Sequence, residues 1–471
     1  MLCLPLNWSI IEGAKHITPY RRGLQGNSLL GVKAIDAQSP RARPPERESL
    51  RACLALFLLV IASFVAACVG GPGRGERQIN YELTHQFAVE DPQFLRSMGQ
   101  LLGSAIVPGN RVTAYQNGDQ IFPPMLEAIH GARESVTFEN YIFQAGALGR
   151  QFTDAFCERA RAGVKVHVLL DWLGTSKTDP RFLTDMTAAG VEVERYHPMH
   201  WYDMSRANNR THRKLLVVDG RVGFIGGACI ADTWLGDGTA PDHWRESHYR
   251  IEGPAVAQMQ AVFIDNWMKI RAEVLLGPAY FPALTQPGHL RAQVFKSSRD
   301  EGSESVRLMY LLSIASATRT IRLQAGYFVP DDMAIETLVT ARKRGVRVEI
   351  IVPGPHTDSE IVQSAGRSRW AALLDAGVLI YAYQPSLYHC KVLIVDEVWV
   401  SVGSTNFDNR SFRLNDEANL NIYDAGFAAE QVVAFENDKR LSRRMTLAEF
   451  KDRSMFRKIF DSVTGTFRQQ L

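Results

Sequence analysis

The sequence predicts an α/β fold of two similar lobes, each a mixed sheet flanked by helices, packed together as a pseudo-dimer. The first observation behind this is self-similarity: four segments recur in the same order at offsets between 177 and 187 residues. SVTFENYIF from Ser135 matches TIRLQAGYF from Thr320, and AFCERARAGVKVHVLLDW from Ala155 matches TLVTARKRGVRVEIIVPG from Thr337. LTDMTAAGVEVERYHP from Leu183 matches WAALLDAGVLIYAYQP from Trp370, and HRKLLVVDG from His212 matches HCKVLIVDE from His389. The second observation is the order inside each unit: strand, helix ending near a glycine, strand, helix ending near a glycine, strand, then the His/Lys segment. The third is that runs such as VKVHVLLDW and VRVEIIVPG are apolar on both faces, as central strands covered by helices on both sides must be.

In chain order, residues 1–51 are rich in Arg, Pro and Ser without periodicity, and are expected to be disordered or to lie ahead of a true start near Leu50. Residues 52–69 form an uncharged, mostly apolar run preceded by Arg41, Arg43, Arg47 and Arg51, the layout of a signal peptide or short membrane anchor. Within it, Val65-Ala66-Ala67-Cys68 resembles a bacterial lipoprotein cleavage box, which would make Cys68 the lipidated first residue. Residues 70–107 read as a linker and N-terminal segment, 108–270 as the first lobe and 306–438 as the second. Between the lobes, residues 271–305 carry LGPAYFPALTQPGH and SSRDEGSES, rich in linker residues. The tail, 439–471, holds nine Lys/Arg against three acids, with Phe456, Ile459, Phe460, Val463 and Phe467 at helical spacing. Such a basic amphipathic tail either lies on anionic lipid or packs its Phe residues on the second lobe.

Composition narrows the function. At 46% hydrophobic and 22% charged residues the chain is an ordinary globular protein, which excludes wholesale disorder. A net charge of +3, from 53 basic and 50 acidic residues, is too small for tight non-specific DNA binding over the whole surface. No nucleic-acid partner is therefore expected, and any anionic partner must meet a local patch. The six cysteines include no CxxC pair and no His/Cys cluster at metal-ligand spacing, so no metal, disulfide framework or cofactor is called for.

The repeat carries chemistry in its last segment. His212 and Lys214 lie two residues apart, as do His389 and Lys391, so in a β-strand each pair faces one surface. When related lobes pack about a pseudo-twofold axis, equivalent strand ends meet, setting two imidazoles and two ammonium groups around one cavity suited to a phosphodiester. One neutral imidazole can attack phosphorus while the other, protonated, gives its proton to the leaving alcohol. The lysines would neutralise charge on the non-bridging oxygens.

HRKLLVVD (His212, Lys214, Asp219) and HCKVLIVD (His389, Lys391, Asp396) are complete HxKx4D motifs, and over about residues 108–440 the chain resembles the phospholipase D superfamily. The surroundings look most like bacterial cardiolipin synthases: NGDQIFPPMLEAI, NNRTHRKLLVVDGRVGFIGG, WRESHYRIEGPAV, YFVPDD, YQPSLYHCKVLIVD and GSTNFDNRSFRLNDEANL. The resemblance implies transphosphatidylation through a phosphohistidine, with phospholipid substrates, phosphatidylglycerol foremost, at the surface of a bacterial cell membrane. It also implies a Gly/Ser pair, an Asn and a later His-orienting carboxylate in each half. The second half has Gly403, Ser404, Asn406 and Glu417; the first has Gly226, Gly227 and Glu246, with Cys229 where the Asn is expected. Cys is a weaker donor than an amide, so the phosphate pocket is expected to be asymmetric. Family precedent makes His212 the nucleophile and His389 the acid, while Asp219 and Asp396 would hold the turn after each motif.

Two rival readings stand beside this one. A hydrolytic phospholipase D, or a phosphodiesterase or nuclease, would use the same His pair but transfer to water. A lipid-binding scaffold with a decayed site would show Cys229 as its first loss, although intact His, Lys and Glu in both halves argue against it. His197, His200 and His243 either line the mouth of the site or are structural, the second being the default for a histidine outside the motifs. Trp201 and Tyr202 either rest at a membrane interface or cover the core.

Overall fold

The repeat in the sequence returns as a repeated chain path. The computed structural model describes residues 83–197, 209–298 and 304–466, all within one compact unit, Asn80–Leu471. The apolar run 52–69 with Cys68, and His200, Trp201, Tyr202 and Phe467, lie outside the described residues. After helix α1 (Pro92–Leu101), the first half runs β1 (Val107–Gln116), α2 (Asn117–His130), β2 (Ser135–Asn140), α3 (Ala147–Arg161), β3 (Lys165–Asp171), α4 (Pro180–Ala188), β4 (Glu192–Tyr196), β5 (Leu215–Val218), β6 (Val222–Gly226), β7 (Ser247–Glu252) and α5 (Ala255–Arg271). The second half runs β8 (Leu290–Ser297), α6 (Ser305–Ser316), β9 (Thr320–Ala325), β10 (Phe328–Val329), α7 (Asp332–Lys343), β11 (Arg347–Pro353), α8 (Glu360–Arg367), α9 (Trp370–Asp375) and β12 (Leu379–Tyr383). It continues through β13 (Lys391–Val395), β14 (Trp399–Gly403), β15 (Phe407–Asp408), α10 (Asn409–Arg413), β16 (Glu417–Tyr423) and α11 (Ala425–Arg440) to β17 (Ser442–Met445), α12 (Leu447–Lys451) and α13 (Met455–Gly465).

Glycines stop equivalent helices in both halves. Gly163 after α3 and Gly345 after α7 adopt φ of 87° and 94° and donate back to Ala160 and Arg342. The following Val164 and Val346 donate to Arg159 and Ala341, and both valines are buried at the start of the next strand. This closes the last turn and aims the chain into the sheet.

Fifteen strands form one sheet in the order β17-β12-β11-β9-β13-β14-β16-β8-β1-β7-β6-β5-β2-β3-β4. Read outward from the adjoining β8 and β1, the two halves repeat the same strand order, with β17 as an added edge. The sheet is mixed: β3 runs parallel to β2 and β4, and β11 to β9 and β12, while β5 and β13 pair antiparallel with β2 and β9. Strands β2, β5 and β13 are buried along their whole length, as expected for two-sided apolar strands.

Separate cores lie under the helices of each half, around Phe138, Phe152 and Phe156 in the first and Leu323, Leu338 and Ile350 in the second. A further core joins the halves, with Leu215, Val217 and Ile225 in one cluster with Val392, Val400 and Leu420. Each such side chain contributes about 1.5–3 kcal/mol by leaving water. This shared core brings the inner ends of β5 and β13 together.

One expectation needs correction. The His/Lys segments were expected inside strands, but β5 begins only at Leu215 and β13 at Lys391, so His212, Lys214 and His389 precede their strands. They are held instead by isolated bridges to the opposite half, Thr211 to Asp416 and Tyr388 to Arg245.

Candidate active site

The opposite half fixes each histidine twice. His212 N–H donates to the Asp416 carbonyl at 2.9 Å and His389 N–H to the Arg245 carbonyl at 2.8 Å. The next residue along each of those segments supplies the carboxylate. His212 Nδ1 meets the Glu417 oxygens at 2.9 and 3.0 Å, and His389 Nδ1 meets Glu246 at 2.5 Å. The orienting carboxylates therefore cross between halves. With Nδ1–H committed to a carboxylate, Nε2 of each ring is the nitrogen free for chemistry.

The Gly/Ser pair has a physical reason. A Cβ on Gly227 would fall 2.3 Å from Glu246 Oε2, so only glycine leaves room for that carboxylate. In the second half the equivalent Ser404 donates its hydroxyl to Glu417 at 2.5 Å. Asn406 is buried with its Oδ1 unpartnered, as are both amide atoms of the adjacent-segment residue Asn209. Orphaned buried amides of this kind are costly and mark a place where a polar ligand can bind. Cys229, the counterpart of Asn406, is buried, and burial pushes its thiol above the ordinary value. It therefore offers neither a thiolate nor an amide donor.

Lys214 donates to the His212 carbonyl at 2.6 Å and lies over the Tyr141 ring at 5.3 Å, while Lys391 donates to the His389 carbonyl. Tyr141 packs edge-on against His212, with ring centres 5.2 Å apart. Trp234, Trp244 and Tyr327 surround His389 at 5.6, 5.4 and 6.1 Å. Only 7% of His212 and 5% of His389 is exposed, so the reacting nitrogens sit in a nearly closed site. These aromatics were not singled out in the sequence as site residues. Tyr141 and Tyr327 do fall in the segments that match between halves, the one signal that could have found them.

The two half-sites differ in charge. Burial, reinforced by Lys214 and Lys391, holds the His212 imidazole well below its ordinary value. Burial and Lys391 also lower His389, but Glu246 opposes them. Burial disfavours ionised Glu246, yet Lys391 and His389 outweigh it and hold the carboxyl below its usual range. Burial instead raises Glu417 to about 7, against the pull of Lys214 and Ser404. Lys214 itself is lowered by burial to about 8.

Asp219 and Asp396 do not join the histidines. The strand β5 lies between His212 and Asp219, as β13 lies between His389 and Asp396. Asp219 accepts from the backbone N–H of Glu134 at 2.8 Å and of Ser135 at 3.0 Å, and Asp396 from those of Thr318, Arg319 and Thr320, each at 2.7 Å. Both hold left-handed turns, with φ of 53° and 50°. His197 stacks on Tyr196, whose hydroxyl bonds Asp416, and His243 packs against Gly236.

The family model described as "Cardiolipin synthase, PLD-like domain" matches residues 125–267 and 310–439. The chain is 34% identical over 358 residues to "Cardiolipin synthase 2" of Staphylococcus epidermidis, covering 75% of this chain and 73% of that one. It is 34% identical to "Major cardiolipin synthase ClsA" of Bacillus subtilis over 75% of this chain and 74% of the relative. In three dimensions it resembles the crystal structure of phosphatidylserine synthase of Haemophilus influenzae, with a TM-score of 0.62 at 14% identity, covering 80% of this chain and all of that one.

Proposed function

Because the chain belongs to the family of cardiolipin synthase PLD-like domains, we propose that it is a phosphatidyltransferase that joins two phosphatidylglycerol molecules into cardiolipin and releases glycerol. The observation that carries the mechanism is the pair of imidazoles, each with Nδ1 tied to a carboxylate of the other half and Nε2 left to react.

In the first step, His212 Nε2 attacks the phosphorus of the donor lipid, and the bond from phosphorus to the glycerol headgroup oxygen breaks. His389 Nε2–H gives that oxygen its proton. In the second step, a headgroup hydroxyl of another phosphatidylglycerol returns a proton to His389 and attacks phosphorus, and the bond to His212 breaks. Lys214 and Lys391 neutralise the non-bridging oxygens. The charge difference between the half-sites supports these roles. His212 is the more strongly neutral ring, suited to attack, whereas the ionised Glu246 stabilises an imidazolium at His389.

The test is incubation with phosphatidylglycerol and analysis of products. Cardiolipin with equimolar glycerol is expected. Phosphatidic acid in place of cardiolipin would identify a hydrolase, and no product at all would leave only a lipid-binding protein.

A further inference from the structure

Helix α13 carries its apolar side outward. Met455, Phe456, Ile459, Phe460 and Val463 are exposed, Phe456 to 83%, whereas Asp461, Thr464 and Gly465 are buried. The polar side is the one that holds the helix to the protein. Asp461 is bonded by Ser364 and by Arg367 and Arg453, and a Cβ on Gly465 would fall 2.7 Å from Ser368 Oγ. Of the two sequence readings for this tail, packing of its phenylalanines on the second lobe is therefore incorrect for Phe456 and Phe460. A contiguous apolar face this large is not left to water without a use.

The charge around that face is basic on balance. Asp461 is the only acid on α13, and it is spent on its own ion pairs, so the exposed charges of the helix are Arg457 and Lys458. Just before it in the chain, exposed Lys451, Arg443 and Arg444 outnumber the exposed acids Glu449, which pairs with Arg443, and Asp452. The inner side of the helix is linked to the site through one intervening helix. Helix α13 packs along α8, where Ile361 is 46% exposed, and Gly366 of α8 lies close against the Phe328 carbonyl. The residue before Phe328 is Tyr327, whose ring lies 6.1 Å from that of His389. The whole helix falls beyond residue 439, where the family match ends.

We propose that α13 is an interfacial docking helix. Its Met455–Val463 face enters the headgroup layer of a bilayer containing anionic phospholipid, and its basic residues hold it there, with α8 between it and the His389 half-site. This deepens the phosphatidyltransferase reading, since it specifies how a bilayer-resident substrate is met.

The experiment uses the full-length chain and its F456D/I459D variant, whose changes fall on exposed positions. Turnover is compared on vesicles of phosphatidylglycerol and phosphatidylcholine and on short-chain phosphatidylglycerol below its micelle concentration. The variant is expected to lose at least about tenfold on vesicles and stay within about twofold on the soluble lipid. Hydrogen exchange of the 447–466 region should slow in nanodiscs containing phosphatidylglycerol relative to phosphatidylcholine alone. Equal vesicle turnover with unchanged exchange overturns the proposal, as does loss of a dimer in the variant with vesicle turnover intact. Slowed exchange with no product from either lipid sustains docking while refuting the transferase reading.

Discussion

Glu417 holds Nδ1 of His212 at 2.9 Å although 205 residues separate them in the chain. Glu246 and His389 form the reciprocal pair, so neither half of the chain contains a complete histidine–carboxylate unit. Both pairs form across the two halves, which share a hydrophobic core.

That crossing makes E417Q a test. The amide cannot stabilise an imidazolium or fix the tautomer as a carboxylate does, so kcat/KM should fall roughly 10²-fold or more with the fold intact. In a double-mutant cycle, H212N/E417Q should be no slower than H212N, because the carboxylate acts through that ring. Additive losses would mean that Glu417 serves another group.

The pH profile should carry a mark of Lys214. Its pKa is lowered to about 8 by burial, so the ammonium is present at neutral pH and disappears as pH rises through that value. Because the charged form is the one that neutralises the phosphoryl oxygens, kcat/KM should fall above about pH 8. K214R keeps its charge and should move that limb upward, whatever it costs in absolute rate.

The motif aspartates should behave as structural residues. D396A leaves three backbone N–H groups without their acceptor and should cost roughly 3–5 kcal/mol in unfolding free energy, at about 1–3 kcal/mol for each lost partner with partial rescue by water. The folded fraction should retain its kcat. A rate loss without loss of stability would give Asp396 a part in the chemistry.

Cys229 should be chemically silent. Burial pushes its thiol up, and C229A should leave turnover within about threefold, whereas N406A should raise KM by roughly tenfold through the lost amide. Equal effects would contradict the asymmetry between half-sites.

Much of this was legible beforehand because duplication writes itself into sequence. The repeat that matches His212 to His389 marks out the two lobes and the succession of strands and helices along each, but not the order of strands about β8 and β1. Pairing of carboxylate to ring was not legible, since Glu246 and Glu417 stand at similar spacings after their own motifs. Only the face-to-face packing of the halves sends each one across. The same limit applied to α13. Helical spacing identified its apolar stripe, but the side that faces inward depends on the ion pair of Asp461 with Arg367, 94 residues away, beside its nearer pair with Arg453. The start of β5 at Leu215 likewise depends on the bridge from Thr211 to Asp416.

The most direct test of the account is to trap the intermediate. Phosphatidylglycerol labelled in its phosphate is mixed with enzyme, the reaction is stopped in alkali, where phosphohistidine survives, and the peptides are mapped. Label on the peptide bearing His212, absent in H212N, is the predicted result. Label on His389 alone, or cardiolipin formed with no labelled peptide, would contradict it.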